Sequence, residues 1–281
     1  MEHVAIIGTG LIGASFGLAL REHGFTGAIT GVSSARAIDE AVAAGAIDRG
    51  ASLEDAVAQA GLVFLSQTIG RILDTIRHID PLLKPGALVT DAGSTKCEIV
   101  DLARQHITRA QFLGGHPMAG KETRGAGAAD PGLFRDRTWV LTPDDPAELE
   151  TEAALEFRGW LRRIGARVVT FDCDEHDRVV SLTSHLAQLA STALAATVAD
   201  RIGATPGLQV AGPGLSDMTR LAMGSYELWR DILGTNTDHI DRALAHYIQK
   251  LEHMRENLRT RQLQEEFERG AELAARLRKP R

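Results

Sequence analysis

The chain has 281 residues, 44% apolar and 24% charged, which suits one large or two ordinary globular domains. A net charge of −6 gives no general attraction for nucleic acid or an anionic membrane. Two cysteines, Cys97 and Cys173, form no metal-ligand pattern, and with no secretory signal they are expected to be reduced thiols of a cytoplasmic protein.

Residues 4–20 carry no charge, yet Gly8, Thr9, Gly10, Gly13, Ser15 and Gly17 interrupt them, which suits a turn better than a membrane span. The stretch reads as a strand at 4–8, a turn, and a buried helix. Its turn, Gly8-Thr9-Gly10-Leu11-Ile12-Gly13, fits G-x-G-x-x-G in the place where that pattern cradles a dinucleotide pyrophosphate. The second strand, 28–33, leads into Ser33, Ser34 and Arg36, without the acid that usually holds the 2′-hydroxyl of NAD. Two serines and an arginine can instead receive a 2′-phosphate, which favours NADP, with NAD as the alternative. Arg36 also reads as an exposed residue in the first turn of a helix.

Further strands are expected at 62–66, 87–91, 112–114, 138–142 and 167–171. Helices are expected at 35–44, 53–60, 69–83, 96–106 and 147–164. Such alternation predicts an α/β fold with a doubly wound, mainly parallel sheet. After Asp172 the periodicity is helical throughout. The chain therefore divides into a nucleotide-binding domain, 1–171, and an all-α domain, 172–281, with a site in the cleft between them. The stretch 251–281 mixes eight Lys/Arg with six Glu and reads as a solvated helical face.

Three groups of residues could carry chemistry. "TDAGSTK" brings Asp91, Ser94, Thr95 and Lys96 to a strand-to-helix turn. "GGHPMAGKETRG" sets His116 on a glycine-rich loop, with Lys121, Glu122 and Arg124 beyond it. A histidine there has no helical face to pack and titrates in the range useful for proton transfer. In the helical half, His176 and His185 lie near the start of the first long helix, while Asp217 and Arg220 stand three apart. His185 reads equally as a satisfied core residue, and Asp217 with Arg220 as a surface ion pair. No residues assemble into a metal site.

"IIGTGLIGAS", "DAGSTK", "GGHPMAG", "DEHDRVVSLTSHL" and "DMTRLA", in this order, resemble the prephenate/arogenate dehydrogenase family of tyrosine biosynthesis over nearly the whole chain. The resemblance implies a Rossmann domain, a helical domain that forms a homodimer, and a monofunctional enzyme without mutase or ACT domains. It implies oxidative decarboxylation of prephenate or arogenate, a small-molecule substrate, with hydride passing to NAD(P)+. His116 matches the histidine that accepts the proton of the C4 hydroxyl, and Ser94 the serine that orients it. Arg220 matches the arginine that grips a substrate carboxylate, with Asp217 beside it. His185 matches a histidine lining the substrate pocket and Glu122 an acid at its entrance. The chain departs from the family's "SHLPH" at Ala187 and Gln188, which leaves prephenate and arogenate both open. Rival readings are a β-hydroxyacid-type Rossmann dehydrogenase and a non-catalytic NAD(P)-sensing dimer.

Overall fold

The computed structural model describes residues 1–203 and 206–278, so positions 204–205 and 279–281 of the expected helical half lie outside the described residues. The first half alternates strands and helices: β1 (His3–Ile7), α1 (Leu11–Glu22), β2 (Ala28–Val32), α2 (Ala35–Ala43), β3 (Arg49–Gly50), α3 (Leu53–Val57), β4 (Leu62–Leu65), α4 (Ile69–Ile79), β5 (Leu88–Asp91), α5 (Cys97–His106), β6 (Gln111–Pro117), β7 (Thr138–Thr142), α6 (Glu152–Arg163) and β8 (Arg167–Thr170). They form one eight-stranded sheet in the order β3-β2-β1-β4-β5-β6-β7-β8. Strands such as Leu62-Val63-Phe64-Leu65 are apolar at every position because both faces of the sheet are covered. On one face α1, α2 and α6 enclose an aromatic core of Phe16, Phe64, Phe134, Trp139 and Phe157. On the other, α3, α4 and α5 pack aliphatic side chains, among them Ile72, Ile76 and Ile99. Helix starts are set by side-chain caps: Ser34, Ser52 and Thr151 each accept from the amide three residues on.

Every strand pair is parallel except β6 with β7. This corrects one expectation, because His116 sits inside a strand and not on a loop. Residues 111–113 pair with β5, and the strand then continues through Gly114, Gly115 and His116 along antiparallel β7, with His116 opposite Val140. The two glycines serve close packing: a Cβ at Gly115 would lie 2.6 Å from the Asp91 carbonyl oxygen. The short edge strand β3 was not expected, and the expected helix 147–164 is a 3₁₀ turn, Pro146–Glu150, followed by α6.

The second half is helical: α7 (Cys173–Val180), a π-helical turn (Ser181–His185), α8 (Leu186–Ile202), α9 (Pro213–Thr219), α10 (Tyr226–Thr235), α11 (Thr237–Glu256) and α12 (Gln264–Arg278). By length and composition Cys173–Ile202 could cross a bilayer, but its buried His176, Asp177, Ser181 and His185 are polar or ionisable. The helices dock at the carboxyl ends of the strands. Asp231 of α10 accepts from the Gly70 amide at 3.1 Å, Thr235 bonds Thr95 at 2.7 Å, and Ile232 joins the aliphatic core.

Candidate active site

The glycine turn sits where β1 parts β2 from β4, the point at which open α/β sheets bind ligands. Gly8 has φ +99°, a conformation that favours glycine, and its carbonyl accepts from the Ser66 hydroxyl at 2.5 Å. A Cβ at Gly13 would strike that same carbonyl, so the third glycine lets α1 close onto the strand. A Cβ at Gly10 would meet nothing within 4 Å, and no side chain caps α1, so its first amides face open space. That cradle fits a dinucleotide pyrophosphate. Thr9 is buried and donates to the Ala37 carbonyl at 3.2 Å, and Leu11 and Ile12 pack against the aromatic core. Ser33 and Ser34 are exposed beyond β2, Ser34 capping α2. The Arg36 side chain is 90% exposed and pairs with Glu40 at 2.8 Å.

His116 projects from β6 and is buried, with Nδ1 2.9 Å from Nε2 of His176. His176 Nδ1 lies 2.7 Å from Oδ1 of Asp177. Asp177 also accepts the amides of Lys96 at 2.8 Å and Cys97 at 3.0 Å. Burial alone would raise the Asp177 carboxyl, but these bonds outweigh it and hold the group below its ordinary range. An ionised Asp177 can only accept, which assigns the proton of His176 to Nδ1 and leaves its Nε2 as an acceptor. His116 must then donate from Nδ1. Its Nε2 therefore carries the lone pair, with no hydrogen-bond partner among the described residues. Burial, with His176, Lys96 and His185 nearby, holds His116 well below the ordinary histidine range. Burial likewise lowers His176, against the opposing pull of Asp177. Both imidazoles are neutral at neutral pH.

A second device fixes the strand beneath His116. Asp91 and Lys96 form a fully buried ion pair around Gly115. Asp91 Oδ1 accepts the Gly115 amide at 3.0 Å, and Lys96 Nζ donates to the Gly115 carbonyl at 2.9 Å. The peptide groups on both sides of Gly115, the second of which leads into His116, are thus held.

The remaining expected residues fall into two groups. His185 is buried with its Nδ1 3.3 Å from Asn236 Nδ2 and its ring edge-on to Trp229, and burial pushes it down to about 4. Asn236 also donates to the Asp177 carbonyl at 2.8 Å, tying His185 to the relay. Arg220 and Glu122 are exposed surface residues, paired at 3.2 Å with side chains 59% and 67% exposed. Asp217 is exposed and makes no ion pair with Arg220 among the described residues, which corrects the expected pairing; Arg220 starts a new 3₁₀ turn, and its charge meets Glu122 instead. Ser94 is half-buried on the turn after β5, and among the described residues no hydrogen bond joins it to His116, whose ring partner is His176. The sequence reading noted His176 but gave no role to it, to Asp177 or to Asn236. An acid next to a histidine was the available signal.

Comparison with known proteins follows this geometry. The family description "Prephenate dehydrogenase, nucleotide-binding domain" matches residues 16–170, and "Prephenate dehydrogenase, dimerization domain" matches 172–273. A prephenate dehydrogenase of Lactococcus lactis is 34% identical over 242 residues, 85% of this chain, and the chain spans 66% of that relative's length. The crystal structure of prephenate dehydrogenase from Aquifex aeolicus in complex with hydroxyphenyl propionate and NAD+ superposes with a TM-score of 0.86 at 30% identity, covering 98% of this chain and 97% of that one. Synechocystis arogenate dehydrogenase gives 0.79 at 29% identity, covering 98% of both chains. Two matched domains, which meet where His116 of β6 contacts His176 of α7, lead to one conclusion: the chain belongs to the prephenate dehydrogenase family.

Proposed function

We propose that the chain oxidatively decarboxylates prephenate or arogenate, giving 4-hydroxyphenylpyruvate or tyrosine. The observation that carries this reading is the neutral, buried His116, whose Nδ1 meets His176 of the helical half and whose Nε2 has no hydrogen-bond partner among the described residues. Bound at the cradle, a nicotinamide supplies the hydride acceptor at the substrate C4 carbon. The chain's own residues do the rest. Nε2 of His116 takes the C4 hydroxyl proton, and the new positive charge is shared through Nδ1–H with His176 and Asp177. Asp91 and Lys96 hold the backbone that aims the ring, and burial excludes water. Arg220, at the mouth, exchanges its partner Glu122 for a substrate carboxylate, a task suited to its planar fork. His185 and Ser94 line the pocket, with Asp217 at its rim. Loss of carbon dioxide and aromatisation of the ring supply the driving force.

NADP is the favoured cofactor. The end of β2 offers hydroxyls and an exposed guanidinium where an NAD site would offer an acid. The alternative, NAD, draws support from the Aquifex aeolicus relative, whose complex contains NAD+. The reading includes a cytoplasmic enzyme divided at residues 171/172 and a homodimer through the helical half. The matched dimerization domain supports the dimer, as do the exposed apolar side chains there, including Met223, Tyr226, Leu258 and Phe267.

The test is a steady-state matrix of prephenate and arogenate, each with NAD+ and NADP+, followed by absorbance of the reduced cofactor. Turnover in the NADP+ cells is expected. Folded protein that binds dinucleotide yet turns over in no cell would overturn the reaction and favour the sensor reading.

A further inference from the structure

Cys97 opens α5 and Cys173 opens α7, and the fold brings together two thiols that the sequence keeps far apart. Asp177 stands one turn beyond Cys173 on α7 and binds the amides of Lys96 and Cys97. Residues four apart share a helix face, so Cys173 lies on the side of α7 turned toward the start of α5. A hydrogen bond between the two thiols pushes Cys97 up and draws Cys173 down. Both are half-buried, within reach of a small oxidant, and neither has a place in the proton relay.

We propose that Cys97 and Cys173 are a modification site that closes reversibly into a disulfide by exchange with a low-molecular-weight disulfide of the glutathione type. The Cys173 thiolate attacks one sulfur of that disulfide, its S–S bond breaks, and one thiolate departs, leaving a mixed disulfide on Cys173. Cys97 gives its proton to the departing thiolate and attacks Sγ of Cys173, and the second thiolate leaves. Two protein thiols are oxidised while one external disulfide is reduced to two thiols. The new bond pulls directly on the residue whose amide Asp177 holds, one hydrogen bond from His176. Its effect on turnover rests on the proposed reaction, whereas bond formation does not.

The experiment equilibrates the full chain with oxidised glutathione, alkylates the remaining thiols, and weighs the protein before and after dithiothreitol. The expected product has no alkylatable thiol, no glutathione adduct and a mass lower by about 2 Da. Its turnover is expected to fall about tenfold or more, through displacement of the relay, and to return on reduction. Cys173→Ser should keep its untreated turnover in the same oxidant. Two thiols still alkylatable, or two separate glutathione adducts, would overturn the disulfide. Complete closure with unchanged turnover in a chain that is active when reduced would overturn its coupling to the relay. In a chain without activity, the thiol count and mass alone decide.

Discussion

His116 Nδ1 and His176 Nε2 lie 2.9 Å apart, and this contact orients the lone pair of His116. Because Asp177 can only accept, the protons of both imidazoles point down the relay and Nε2 of His116 points out of it. His116→Asn is expected to lower kcat by about two to four orders of magnitude, the scale for a positioned base. Dinucleotide affinity, followed by fluorescence titration, should be unchanged, and a variant with wild-type kcat would remove His116 from the reaction.

Asp177→Asn tests the direction of the relay. An amide can donate to His176 Nδ1, which reverses that ring and sets donor against donor at His116. A loss in kcat of roughly 10²- to 10⁴-fold is expected, with KM little changed. The pH profile should lose its simple acid limb, an effect that a purely structural role would not produce.

The lowered histidines make two pH predictions. Since burial holds His116 well below the ordinary value near 6.5, the acid limb of kcat/KM should fall below pH 6.5. Stability has the same sign: the unfolded chain binds protons that buried His116, His176 and His185 refuse. The stabilisation is thus present above pH 6.5 and lost as pH falls toward 4. His185, lowered to about 4, contributes on the order of 3 kcal/mol of that loss. Denaturant midpoints across this range check it, and a flat profile would refute it.

Arg220→Ala should raise KM for substrate about 30-fold, roughly 2 kcal/mol for an unmatched carboxylate, with kcat changed less. An unmoved KM would make the Arg220–Glu122 pair a surface feature, which at this exposure stabilises little.

Arg36→Ala should weaken NADP+ about tenfold and leave NAD+ almost untouched, as charge-assisted bonds to a 2′-phosphate require. Equal Kd changes for both would return Arg36 to its role beside Glu40 on the surface of α2.

The alternation of apolar strands with amphipathic helices made the sheet legible, because strands buried on both faces have little compositional freedom. β3 escaped because Arg49 and Gly50 have no pattern of their own and join the sheet only where β2 offers an edge. His116 read as a loop residue because Gly114 and Gly115 look like breakers in sequence. In the fold they are what allows β6 to run against Asp91 and Thr142. The His116–His176–Asp177 relay joins β6 to α7 across sixty residues of chain, and no local periodicity reports such a meeting. Ser94 stands on the expected strand-to-helix turn after β5 and takes its expected role from the resemblance; among the described residues no hydrogen bond joins it to His116.

The change of pairing direction within β6 has a dynamic consequence. His116 lies between two ladders and above a buried ion pair, so amides around it should exchange with solvent only when the whole sheet unfolds. Arg220 opens an exposed 3₁₀ turn tied to α8 rather than to the sheet, through Gln188 and the Leu221 carbonyl and through Ser191 and the Ala222 amide, so its exchange is expected to be independent of the sheet's. The proposed proton acceptor and the proposed carboxylate clamp therefore belong to two different units, one inside the sheet and one on the helical half. Under the proposed function, movement at Arg220 would leave the aim of His116 fixed.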